Sequence, residues 1–284
     1  MVDFARQQHN MSLRAACKTI RISRSVYHYQ PDTDRDQAVI EKLLELVERY
    51  PRYGFGKLFP ILRRQGHRWN HKRVYRVYCG LKLNMRRKGK KRLPQRSPEP
   101  LSVPASINQC WSVDFMSDAL WDGRVFRTFN VVDDFNREAL AIEIDLNLPA
   151  QRIIRVLERL AAWRGYPEKI RMDNGPELTS VKMAEWAEEH AVELEFIQPG
   201  KPTQNSFVER FNRTYRNEVL DFYVFRKLSE VRDITDRWLY EYNAERPHES
   251  LGNLTPAEYA VVKTEPETPT SLPVSYTHLT LPTN

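Results

Sequence analysis

The chain has 284 residues, 41% of them hydrophobic, enough for one or two domains with substantial cores. No apolar run approaches the ~20 residues that a bilayer crossing needs, and no signal-peptide core opens the sequence, which argues against a membrane or exported protein. The three cysteines, Cys17, Cys79 and Cys110, are scattered and odd in number, which excludes a disulfide framework or a zinc frame, so they are expected as reduced thiols in a cytoplasmic protein. The net charge of +7 points to a polyanionic partner, and its distribution is uneven. Between Tyr50 and Pro98 there are 16 Lys or Arg and no Asp or Glu, so subtracting 16 from +7 leaves −9 for everything else.

In chain order, residues 12–29 read as two short helices about a turn near Arg21-Ile22. Ser12 and Ser23 are their caps, and Leu13, Ala16, Ile20, Ile22, Val26 and Tyr27 are their shared core, a helix-turn-helix pattern. After Pro31-Asp32 a helix is expected from Arg35 to Arg49, with Val39, Leu43, Leu46 and Val47 at helical spacing. A turn at Pro51-Arg52-Tyr53-Gly54-Phe55-Gly56 leads to helices near 57–65 and 70–79, whose inward residues are Leu58, Ile61, Leu62, Val74, Tyr75 and Tyr78. Arg63, Arg64, Arg68, Lys72, Arg73 and Arg76 remain for the exposed side and are candidate phosphate contacts. The run Arg86, Arg87, Lys88, Lys90, Lys91 and Arg92, followed by Pro94, Pro98, Pro100 and Pro104, is read as a basic linker able to track a DNA backbone.

From Asn108 the pattern changes to strands. Gln109–Met116, Val125–Asp133 and Glu138–Leu146 are rich in Val, Ile, Phe and Thr, with turns at 121–124 and 135–137. A helix over 150–164, a strand over 169–172, a helix over 180–191, a strand over 193–197 and a further helix carrying Glu209 follow. A last helix is expected over 228–242. Along the first strand Trp111, Val113 and Phe115 alternate with Ser112, Asp114 and Met116, so Asp114 can face a different side from its apolar neighbours.

Strands seldom carry Asp in their interior, because it favours turns and is costly to bury. Asp114 lies inside one apolar run and Asp173 ends another. Glu209 lies on a helix whose stripe is Phe207, Phe211 and Tyr215, with Asn212, Arg213 and Arg216 on the face that Glu209 shares. One Asp on a strand, one at a strand end and one Glu on a helix can converge on a divalent cation. Asp118, Asp122 and the Asp133-Asp134 pair are accounted for by turns, and Glu177 is the most plausible substitute for one of the three. The seven histidines show no ligand spacing.

At these residues the chain resembles the DDE transposases and retroviral-type integrases. Thirty-five residues separate Asp173 from Glu209, the D,D(35)E interval. The segments Trp111-Ser112-Val113-Asp114, Asp173-Asn174-Gly175-Pro176-Glu177 and Gln204-Asn205-Ser206-Phe207-Val208-Glu209-Arg210-Phe211-Asn212 resemble the catalytic subunit of bacterial IS-three family transposases. So do Tyr242-Asn243, Arg246-Pro247-His248, Leu251-Gly252 and Thr255-Pro256. The resemblance covers residues 10–260 and implies an α/β ribonuclease H-like catalytic core (βββαβαβα) preceded by small all-α helix-turn-helix DNA-binding modules. The domain map that follows is 1–30 helix-turn-helix, 31–85 basic helical DNA-binding module, 86–106 basic linker, 107–262 catalytic core with its C-terminal helix, and 263–284 a disordered tail that departs from the family.

What the resemblance further implies is binding of element ends and metal-dependent DNA cleavage and strand transfer. Asp114, Asp173 and Glu209 would hold two Mg²⁺, or Mn²⁺, about 4 Å apart. Lys201, Gln204, Asn205, Arg210 and Arg213 flank Glu209 and are candidates to hold the DNA end. The implied partners are double-stranded DNA, both terminal inverted repeats and target, further copies of the chain in a synaptic complex, and an upstream-frame helix-turn-helix and leucine-zipper protein. The implied location is the bacterial cytoplasm, at the nucleoid. A catalytically inactive DNA-binding relative and a ribonuclease H-like nuclease are the competing readings.

Overall fold

A computed structural model describes residues 1–30, 35–84, 103–198 and 202–264. The basic run 86–92, Lys201 and the tail after residue 264 lie outside the described residues. The helices are α1 (Val2–His9), α2 (Leu13–Ile20), α3 (Arg24–Tyr27), α4 (Gln37–Arg49), α5 (Phe55–Arg64) and α6 (His71–Gly80). Then come β1 (Cys110–Ala119), β2 (Val125–Asp133), β3 (Ala139–Asp145), α7 (Ala150–Arg164), β4 (Lys169–Met172), α8 (Val181–Glu189), β5 (Glu193–Phe196), α9 (Ser206–Tyr215), α10 (Leu228–Ala244) and α11 (Pro256–Thr264). None of the described helices is long and apolar enough to cross a membrane.

Two compact units share these elements: Met1–Pro51 with Arg68–Met85, and Arg52–His67 with the described residues after 102. In the first, the caps are those the sequence names. Ser12 Oγ accepts from the Ala15 N–H and Ser23 Oγ from the Val26 N–H, each cap worth about 1 kcal/mol. Ala16 and Cys17 form the core with Val2 of α1, and Leu13, Ile20, Ile22 and Tyr27 pack against it. Val26 does not join them: α3 is a single turn, and Val26 is 63% exposed. Tyr75 of α6 is also exposed, and Val77 takes the inward position instead.

In the second unit the strands form one sheet ordered β3-β2-β1-β4-β5, with β1, β2 and β3 antiparallel neighbours and β4 and β5 parallel to β1. Side-chain alternation sorts residues to the two faces. Trp111, Val113 and Phe129 pack with Ile153, Leu157 and Leu160 of α7 and Trp186 of α8. Phe126, Val132 and Ile144 pack with Val208, Phe211 and Tyr215 of α9 and Trp238 and Tyr242 of α10. Because both faces are covered, Ser112 is buried as fully as Trp111.

α5 belongs to this second unit, although its sequence belongs to the basic segment. Arg64 pairs with Glu258 at 2.6 Å and donates to the carbonyls of Glu245 and Asn253. Lys57 reaches Glu218 at 3.4 Å, and both Lys57 and Arg246 lie over the Tyr53 ring. Glu218 sits in a π-helical turn, Arg216–Leu220, that continues α9, where it accepts two bonds from Arg246 Nη1 at 2.5 and 2.6 Å and one from the Trp238 indole.

The C-terminal motif residues are structural. β3 is an edge strand, and the Asn243 side chain accepts from the Ala139 N–H and donates to the Ala139 carbonyl, mimicking a neighbouring strand. Thr255 and Glu258 form a reciprocal capping box at α11, with Pro256 at its first position.

Candidate active site

Asp114 lies mid-way along β1 on the face covered by α9, directly opposite Asn130 of β2. β4 pairs with β1 only through Ser112. From Val113 onward that side of β1 lacks a β4 partner, and the Asn205 side chain fills part of the gap by donating to the Val113 carbonyl at 3.3 Å. Asp173 follows the last residue of β4, and its Oδ1 accepts from the Gly175 N–H at 3.1 Å. Glu209 lies in the first turn of α9. Strand, strand end and helix therefore bring the three acids to one region.

Their electrostatic coupling is visible at Asp114, whose carboxyl is pushed up to about 6. Burial is the main cause, and the negative charges of Asp173 and Glu209 add to it against hydrogen bonds from the Phe115 N–H and Asn212. As they stand, no three acidic, histidine or cysteine side chains among the described residues close on a point where they could hold an ion. Three hard carboxylate donors within mutual influence, without histidine or cysteine, suit Mg²⁺ or Mn²⁺ rather than zinc.

A folded-state value above the unfolded 3.8 means that the proton favours the folded protein. That contribution is full below about pH 4 and is lost as pH rises through about 6. Asp114→Asn, which resembles the protonated acid, should therefore melt near the wild type at acid pH and on the order of 5 °C higher at pH 8, both in chelator. Equal melting temperatures at pH 8 would show that neither burial nor the neighbouring acids disfavour the charged carboxylate.

Asn212 is the residue that the sequence places wrongly. It does not share a solvated face with Glu209 and Arg213; it is buried, and its amide donates to Asp114 Oδ2 at 2.7 Å. Asn130 donates to Asn212 Oδ1 at 2.7 Å and so sets which way that amide points. The bond registers α9, and Glu209 one turn earlier, against β1. The signal was available: an Asn inside the apolar run of β2 is as unusual as the Asp inside β1.

The structure also sorts the flanking candidates. Asn205 is 3% exposed and bound to β1, so it is not available to a nucleic acid. Gln204 accepts from the Gln198 N–H at 2.8 Å. Arg210 and Arg213 stand exposed on α9 with no ion pair among the described residues. In the basic segment Arg64 is engaged as described, and Arg73 and Arg76 both pair with Asp36, at 2.8 and 2.6 Å. Arg63, Arg68 and Lys72 remain exposed. Glu177 is paired with Arg127. Asp133 and Asp134 are more than turn residues: both are buried, paired with Arg164 and Arg171.

The model of the Integrase core domain matches residues 104–202, a second model of that description matches 190–256, and that of the HTH-like domain matches 34–91. The chain is 40% identical over 256 residues to the insertion element IS407 uncharacterized 31.7 kDa protein of Burkholderia multivorans, covering 90% of this chain and 92% of the relative. It is 37% identical over 251 residues to the insertion element IS476 uncharacterized 39.2 kDa protein of Xanthomonas euvesicatoria, covering 88% and 72%. It is 26% identical over 266 residues to the putative transposase InsK for insertion sequence element IS150 of Escherichia coli, covering 87% and 91%. With core and helical models in this order and relatives matched along most of their length, the chain belongs to the integrase-core transposases of bacterial insertion sequences.

Proposed function

We propose that this transposase cuts and joins DNA at the ends of its element through Asp114, Asp173 and Glu209 acting on two Mg²⁺ or Mn²⁺ ions. The observation that carries the reading is the placement of the three acids on β1, at the end of β4 and on α9, with α9 tied to Asp114 by the Asn212 amide at 2.7 Å. Bound there, the ions would supply Lewis acidity to the attacking and leaving oxygens of an in-line displacement at phosphorus. The attacking group is water for nicking and a freed 3′-hydroxyl for joining, and no covalent link to the protein forms.

The protein's part is orientation. Asn212 fixes one oxygen of Asp114 and the Phe115 N–H fixes the other. The turn at Gly175 fixes Asp173, and the Phe211, Tyr215 and Trp238 packing holds the helix that bears Glu209. Arg210 and Arg213 lie on that helix and are suited to phosphates of the DNA end. Residues 1–30 and the exposed cations of 31–85 bind duplex, the site works in a synaptic assembly of several copies, and an upstream-frame partner can join it at the nucleoid.

The test is a labelled duplex carrying the element's own terminus, incubated with full-length protein in Mg²⁺ or in EDTA. Nicking and joining in Mg²⁺ alone is expected. Binding without cleavage at any Mg²⁺ or Mn²⁺ concentration would assign the chain to the inactive DNA-binding relatives. Affinity for the same duplex should fall steeply, ~10³-fold or more, between 50 and 200 mM salt if six or more phosphates are contacted. A flat response would remove the basic segment from the interface.

A further inference from the structure

On the sheet face opposite Asn212, a second tie leads to the other aspartate. Arg127 stands on β2 opposite Ser117, its guanidinium lies 4.5 Å from the Phe115 ring centroid, and it pairs with Glu177 in the loop running from Asp173 to α8. Since β4 ends at Met172, that loop has no strand ladder to hold it. The Asn174 amide donates to the Ile197 carbonyl at 3.2 Å, and Leu178 is buried. The loop is also tight. A Cβ on Gly175 would stand 3.1 Å from Asp173 Oδ1 and 3.7 Å from Glu177 Oε2. Two carboxylates therefore flank one glycine, and among the described residues only Glu177 has a cation. That cation holds the Glu177 carboxyl below the usual range.

We infer that Arg127 and Glu177 are positioning residues for Asp173: the pair anchors the loop to β2 across β1 and keeps the Glu177 carboxylate turned to Arg127, so that the metal site has three acids and not four. The inference rests on the reading of Asp173 as a metal ligand. Partners that orient ligands from behind commonly change metal affinity by about 10–100-fold when removed.

The experiment is Mn²⁺ titration of the full-length, DNA-free protein by calorimetry, with circular dichroism melts as the fold control. Arg127→Ala and Glu177→Gln should each weaken Mn²⁺ binding by about tenfold or more while the protein stays folded. Exchanging the charges, Arg127→Glu with Glu177→Arg, should return affinity to within a few-fold of wild type. Unchanged affinity in Arg127→Ala would overturn the inference. So would a charge exchange no better than the single variants, because that result would make Glu177 a ligand itself. A wild type that takes up no Mn²⁺ removes the metal reading and the inference together, and is told apart because it needs no variant.

Discussion

Glu209→Gln should abolish nicking and joining while leaving duplex binding intact. The carboxylate stands to contribute several kcal/mol of transition-state stabilisation through the ions it holds, so the rate is expected to fall on the order of 10³-fold or more. Gln keeps the volume and the helix, and Glu209 makes no hydrogen bond that the fold needs among the described residues. In chelator the same variant should melt about 2–4 °C above wild type, because a charge that repels Asp114 is gone. Strand-cleavage assays, gel shifts and melts on one preparation check all three. Loss of activity with a lowered melting temperature would mean that Glu209 supports the fold and not the chemistry.

Glu218→Ala is expected to be the most destabilising single change among the positions considered. The side chain is nearly buried and accepts from Arg246, Lys57 and the Trp238 indole, so its removal leaves the buried Arg246 guanidinium without its anion and beside a second cation, the half-buried Lys57. Breaking a buried pair from one side costs about 3–5 kcal/mol, which for a unit of this size lowers the melting point by roughly 10 °C. Adding Arg246→Leu should recover a large part of that loss, because the second change removes the orphaned charge. A double variant as unstable as the sum of the two single ones would show that the groups do not act as a pair.

Much of the catalytic unit was legible because its strands are spaced by turns and its helices carry clear stripes. The helix over 150–164 and the strand over 169–172 fall where the periodicity puts them. The acids were legible for a different reason: Asp114 stands where its residue type is out of place, and Asp173 and Glu209 are marked by the 35-residue interval and the motifs around them. What escaped was long-range. Nothing near Asn212 says that it faces Asp114, 98 residues away. Tyr242-Asn243 and Arg246-Pro247-His248 read as a motif without a role, since the partners that explain Asn243 and Arg246 are Ala139 and Glu218. A run of cations also reads as one surface, although Arg64, Arg73 and Arg76 are each paired with an acid supplied from elsewhere.

The docking of α5 on the catalytic unit has a consequence for any attempt to divide the protein. A fragment begun at residue 107 would discard Lys57, Tyr53 and Arg64, leaving Glu218 without its second cation, Arg246 without the Tyr53 ring and Glu258 without Arg64. The functional seam therefore does not coincide with a single cut in the chain. Exchange of DNA-binding modules between related elements would have to leave α5 in place, as a foreign helix with different cations would not satisfy the pocket around Glu218. A synthetic peptide spanning 52–67, supplied to the truncated core, is the natural complement for restoring it.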